Sequence, residues 1–148
     1  MNWRARHDRR PIERTLAAGE EPPLAAHLTS RRGIYRHHGI YVGNGRVIHY
    51  AGLARGLRPG PVEEVSLEQF ARGRQVCVRT DPARFDRAEV VRRARRRLGE
   101  AQYRLLTNNC EHFCQWCLCG DSRSDQVARL CRLLSLRVPD TIGAVHTS

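Results

Sequence analysis

Two runs of β-branched and aromatic residues, Gly39-Ile40-Tyr41-Val42 and Val47-Ile48-His49-Tyr50, flank the turn sequence Gly43-Asn44-Gly45. Such residues suit a pleated, half-buried surface, and Asn-Gly readily adopts the positive φ angles of a tight hairpin turn. A hairpin over 39–50 is the strongest local constraint on the fold. Side chains alternate between the faces of a sheet, so loop length decides which histidines meet. A two-residue Asn44-Gly45 loop pairs residue 42 with 47 and sets His49 on the face of His38. A three-residue loop with Gly45 left-handed pairs 42 with 46, sets Gly39 opposite His49 and brings His37 to the face of His49. The second register is favoured, because Gly39 opposite His49 leaves room beside the imidazole.

Ile34-Tyr35, Val62 to Val65 and Val76-Cys77-Val78 read as further strands. Ser66, with Gln69 three residues on, caps a brief helix. Over 86–98, Val90, Val91, Ala94 and Leu98 share one helical face and arginines cover the other, with Gly99 as the stop. A short extended piece at Tyr103-Arg104-Leu105 precedes Asn108-Asn109, a cap signal for a helix from Cys110 to about Leu118 ended by Gly120. A last amphipathic helix is expected from about Ser124 to Leu136. Strands fill the first half and helices the second, which is the α+β pattern of an antiparallel sheet packed against helices. The 148 residues suit one compact domain at 25–120. It is preceded by a loosely ordered, arginine-rich arm at 1–24 and followed by the amphipathic helix and tail at 121–148.

All 26 basic residues are arginine against 15 acidic ones, a net charge of +11 that invites an anionic partner. Aromatics are only 6% and do not interleave with the arginines, so no base-stacking platform forms and no specific nucleic acid is expected. Peripheral contact with an anionic membrane fits the charge better. No run approaches the roughly 20 apolar residues of a transmembrane helix. Leu16-Ala17-Ala18 leads into Glu20-Glu21-Pro22-Pro23 rather than a signal-peptide core, so a cytoplasmic location is expected. Four of the six cysteines (77, 110, 114, 117, 119 and 131) fall within residues 110–119, too close together for a disulfide framework.

Two imidazoles on one sheet face can be a metal site, a structural pair, or a base with its orienting partner. Cys110, in the first turn of its helix, adds a nucleophile. There the helix dipole favours the thiolate and lowers its pKa from the free value near ~8.5. Thiolate, histidine and a polar third residue form a general recipe for acyl transfer through a thioester, without cofactor or metal. The competing reading is zinc at Cys114-x-x-Cys117, although that pair lies mid-helix and lacks a second distant pair. A non-catalytic zinc or nucleic-acid-binding module therefore stays as an alternative of a different class.

Residues 36–49, Arg36-His37-His38-Gly39 through Val47-Ile48-His49, together with Asn109-Cys110-Glu111-His112-Phe113, resemble the lecithin:retinol acyltransferase domain family. That family includes phospholipase A/acyltransferases and short bacterial members, and the resemblance spans roughly Ala25 to Gly120. It implies a circularly permuted, papain-like fold related to NlpC-type peptidases. It also implies that Cys110 is the nucleophile, His37 the base and His49 the third residue orienting it. The implied activity is that of a thiol acyltransferase or acyl hydrolase attacking a glycerophospholipid-like ester. An NlpC-like peptidase or amidase using the same residues is the alternative. Position 38 is His where animal members usually have Trp, and the membrane anchor of animal members has no counterpart in 121–148.

Overall fold

The computed structural model of the chain describes residues 11–52, 59–104, 109–120 and 133. Six strands, β1 (Ile12–Thr15), β2 (His27–Arg32), β3 (Tyr35–Gly43), β4 (Arg46–Gly52), β5 (Gly60–Ser66) and β6 (Val76–Thr80), form one sheet in the order β1-β6-β2-β3-β4-β5. Every pairing is antiparallel. Helices α1 (Leu67–Ala71), α2 (Arg87–Arg96) and α3 (Cys110–Cys119) complete the α+β architecture expected from the sequence.

Strand parity sorts the side chains into two cores. On one face Ile40, Ile48, Tyr50 and Val62 pack beneath α2 and α3, against Val90, Ala94, Phe113, Cys114 and Cys117. On the other, Leu28, Tyr41, Val47, Val65 and Val76 surround Phe70 of α1. Phe70 comes so close to β3 that a Cβ on Gly39 would lie 2.8 Å from its ring and 2.6 Å from Val47. The space beside His49 that glycine leaves open is thus taken by Phe70. The capping box anticipated for α1 is present, with Ser66 and Gln69 bonded reciprocally at 3.0 and 2.9 Å.

Three expectations need correction. The hairpin has Gly39 opposite His49 as favoured, but its loop is Asn44-Gly45, both at positive φ, closed by Gly43 and Arg46. A bulge between Tyr41 and Gly43, where Gly43 has φ +90, absorbs the odd residue and restores the favoured parity. The arm is not loose throughout, because Ile12–Thr15 pairs with the free edge of β6 and Glu13 forms an ion pair with Arg36. Helix α2 stops at Arg96, so Leu98 leaves the buried face and is 43% exposed. The helix expected over 124–136 lies outside the described residues except Leu133, which is exposed.

One irregularity brings α3 to an edge of the sheet. β3 and β4 stay paired only up to Gly39 and His49, whereas β3 runs on to Tyr35 against β2 alone. Between Arg36 and His38 the β4-side edge of β3 has no strand partner among the described residues, and the first turn of α3 arrives there.

Candidate active site

Asn109 starts α3 as its N-cap. Its Oδ1 accepts the backbone N–H groups of Glu111 and His112 at 3.0 and 3.1 Å. The His112 ring completes a capping box by accepting the Asn109 N–H at Nδ1, 3.2 Å away. That role requires an unprotonated nitrogen, and burial lowers the His112 pKa to about 4.

Cys110 is therefore held in the first turn, and it is buried. Its Sγ lies 4.0 Å from the carbonyl oxygen of Arg36, while the backbone N–H of His38 is also directed at the sulfur. The nucleophile candidate thus sits beside the main chain on both sides of His37. Its thiol is not the pre-ionised group expected from the helix dipole. Burial pushes it up to about 12, and the N–H groups of His38, Glu111 and Cys110 itself only partly oppose this. Desolvation of a small anion with no access to water outweighs a few oriented dipoles.

On the α1 face, His37 Nε2 and His49 Nδ1 are 2.5 Å apart, with the rings nearly perpendicular and both against Phe70. His49 Nε2 continues the chain to Glu63 Oε1 at 3.0 Å, from the facing position on β5. A carboxylate only accepts, so His49 donates from Nε2 and its Nδ1 accepts from Nε2–H of His37. His37 is left with Nδ1 as its basic nitrogen. Burial, then the neighbouring His49 and Arg32, hold the His37 pKa well below 6.5, so the ring is neutral at rest. Glu63 was missed in the sequence, where Val62-Glu63-Glu64-Val65 shows only a strand; the 49–63 pairing is what singles it out.

His38 belongs to a different network. Its ring lies on the α3 face, with Nδ1 2.8 Å from His27 Nε2, and His27 Nδ1 in turn bonds Asp81. Arg79 joins Asp81 at 2.9 Å to Glu111 at 3.1 Å, and Gln115 reaches Asp81 at 3.3 Å. These side chains are buried, and burial drives His38 down to about 3. These hydrogen-bonded polar groups fill the space between the sheet and α3. Burial raises the hydroxyl pKa values of Tyr35 and Tyr103, with the Cys110 sulfur a smaller contribution in the same direction. Cys114 and Cys117 are buried, uncharged thiols of the α3 core. No cluster of three or more metal-ligating side chains exists among the described residues.

A family model described as lecithin retinol acyltransferase matches residues 20–123. Human lecithin retinol acyltransferase is 31% identical over 132 residues, which cover 70% of this chain and 57% of that protein. The rat protein of the same name is 30% identical over 141 residues, covering 76% and 61%. Mouse phospholipase A and acyltransferase 3 is 30% identical over 129 residues, covering 76% of this chain and 80% of the relative. The chain spans about three fifths of the length of the lecithin retinol acyltransferases it matches.

Proposed function

Because the chain belongs to the lecithin retinol acyltransferase family, we propose that it is a lipid acyltransferase or phospholipase-type hydrolase working through a Cys110 thioester. The observation that carries this reading is the Cys110 sulfur held beside the main chain on both sides of His37, the residue whose ring begins the His37–His49–Glu63 hydrogen-bond chain. The order of groups supports Cys110 as nucleophile, His37 as base and His49 as its orienting partner.

The thiol is protonated and the imidazole neutral at rest. Reaction therefore begins with proton transfer rather than from a stored ion pair. The Cys110 proton passes to His37 Nδ1 while the sulfur attacks the ester carbonyl carbon, forming an S–C bond and an oxyanion. Backbone N–H groups at the start of α3 are the donors that would receive that charge. Collapse breaks the C–O bond, His37 returns its proton to the departing alcohol, and the acyl group remains as a thioester. Water, an alcohol or an amine then attacks with His37 again taking the proton, and the thiol is regenerated. The imidazolium that forms twice in this cycle is stabilised through His49 by Glu63.

The test is the intact mass of wild type and Cys110→Ala after incubation with short-chain phosphatidylcholine, with released fatty acid assayed in parallel. An acyl adduct on Cys110, or fatty acid release that the variant abolishes, is the expected result. Release that survives Cys110→Ala would move the chemistry to another residue. Neither adduct nor release would remove the phospholipid assignment.

A further inference from the structure

The β2–β3 hairpin turns at Gly33-Ile34, and Ile34 is fully exposed, with Tyr35 beside it over a third exposed. A single exposed apolar residue is ordinary; its surroundings here are not. Arg31 precedes the turn, and Arg72 and Arg74, both exposed, follow α1 at the same corner. Arg74 reaches the Arg31 carbonyl at 3.4 Å, and Arg32 bonds the C-terminal carbonyls of α1 at Phe70 and Ala71. Burial and then the charges of Arg72 and Arg74 depress the Arg32 pKa, a sign of crowded like charge. Among the described residues no acidic side chain pairs with Arg31, Arg72 or Arg74. Among the described residues the corner is an apolar tip ringed by cations with no acidic partner.

We propose that this corner, with Ile34 and Tyr35 at its tip and Arg31, Arg72 and Arg74 around it, is the surface that docks the protein on an anionic phospholipid bilayer. The two apolar side chains would enter the headgroup layer while the guanidiniums take lipid phosphates. Neither signal holds a protein on a membrane alone, and together they give reversible peripheral binding. A polyanion such as RNA would use the arginines but gain nothing from an aliphatic tip, so the exposed isoleucine favours lipid. Position supports the same conclusion, because two residues after Ile34 the strand reaches the Arg36 carbonyl beside Cys110. Docking here would hold the Cys110 thiol close to the ester bonds of the facing leaflet. The purpose of docking rests on the lipid-ester reading above, but the binding is testable without it.

The experiment is co-sedimentation of the full chain with phosphatidylcholine vesicles, with and without phosphatidylglycerol, alongside cleavage of a monomeric short-chain ester. Wild type is expected to bind the anionic vesicles, and to bind them less as salt rises. Arg31→Gln with Arg74→Gln should weaken binding about fivefold for each arginine. Ile34→Ser should weaken it while leaving binding to a homopolymeric RNA unchanged, and none of these variants should alter short-chain ester turnover. Wild type that ignores anionic vesicles, or Ile34→Ser that binds them as well as wild type does, would overturn the proposal. Variant-sensitive vesicle binding in a protein with no esterase activity would keep the docking surface and remove the catalytic reading.

Discussion

Cys110 and Glu63 stand at the two ends of the proposed path, and each makes a separate prediction at the scale of single residues. A thiol pushed up to about 12 carries little thiolate at neutral pH. Alkylation of Cys110 by iodoacetamide, followed by peptide mapping, should be slow at pH 7 and rise about tenfold per pH unit through the alkaline range. A fast, pH-independent reaction would mean a pre-formed ion pair and a different resting state. Glu63→Gln keeps an acceptor near His49 but removes the charge that steadies the imidazolium. We expect kcat to fall by about tenfold to a hundredfold with KM nearly unchanged, and Glu63→Asp to recover part of the loss. A change confined to KM would assign Glu63 to binding. The candidate histidines and Cys110 were legible at this scale because few residue types are able to do such chemistry. Glu63 was not, since one glutamate among 15 acidic residues gains meaning only from the residue facing it.

At the scale of elements, the site depends on where α3 begins and how closely α1 approaches β3. Asn109→Ala removes the acceptor of two N–H groups and should cost about 1 kcal/mol in urea denaturation. Because the cap also sets the position of Cys110, activity should fall by more than this stability loss explains. Gly39→Ala drives a methyl into Phe70 and Val47, both fully buried, and should cost about 1–3 kcal/mol. A stable Gly39→Ala would mean that Phe70 can move aside. Strands β3 to β6, the Ser66 and Asn109 caps and the Gly120 stop of α3 were readable from alternation and capping residues, whereas β1 and β2, which carry little β-branched alternation, were not. The hairpin loop was not, because a bulge at Gly43 converts a two-residue turn into the parity of a three-residue one. Two local geometries give the same facing pairs, and the strands on either side choose between them.

For the whole molecule, the buried polar network between sheet and α3 controls stability against acid. His38 and His112 fall to about 3 and about 4 from 6.5, so between those limits the unfolded chain binds more protons than the folded one. Stability must then decline as pH falls below 6.5 toward 4. Asp81, whose pKa is depressed despite its burial by His27 and Arg79, adds a further loss at still lower pH, below its ordinary 3.8. Urea midpoints measured at pH 7 and pH 5 should show the decline, and equal midpoints would mean that these histidines are not buried neutral. Arg79→Met would remove the guanidinium shared by the buried Glu111 and Asp81 carboxylates and should cost about 3–5 kcal/mol. No helix among the described residues is long and apolar enough to cross a membrane.

By itself the sequence determined the α+β class, most of the elements and a short set of candidate reactive groups. Alternation, capping and turn propensity act within a few residues, and a cysteine behind an Asn cap is visible at that range. Tertiary structure decided the state of those groups and the company they keep. Burial raised the Cys110 thiol against the dipole that local reasoning would credit, because desolvation depends on everything packed around the sulfur. Pairing of β4 with β5 supplied Glu63, and the early end of the β3–β4 ladder opened the strand edge that receives Cys110. Adjacent residues on β3 went to opposite faces, so His37 joined His49 while His38 joined His27 and Asp81. Each of these outcomes joins residues far apart in the chain, beyond the reach of any local rule.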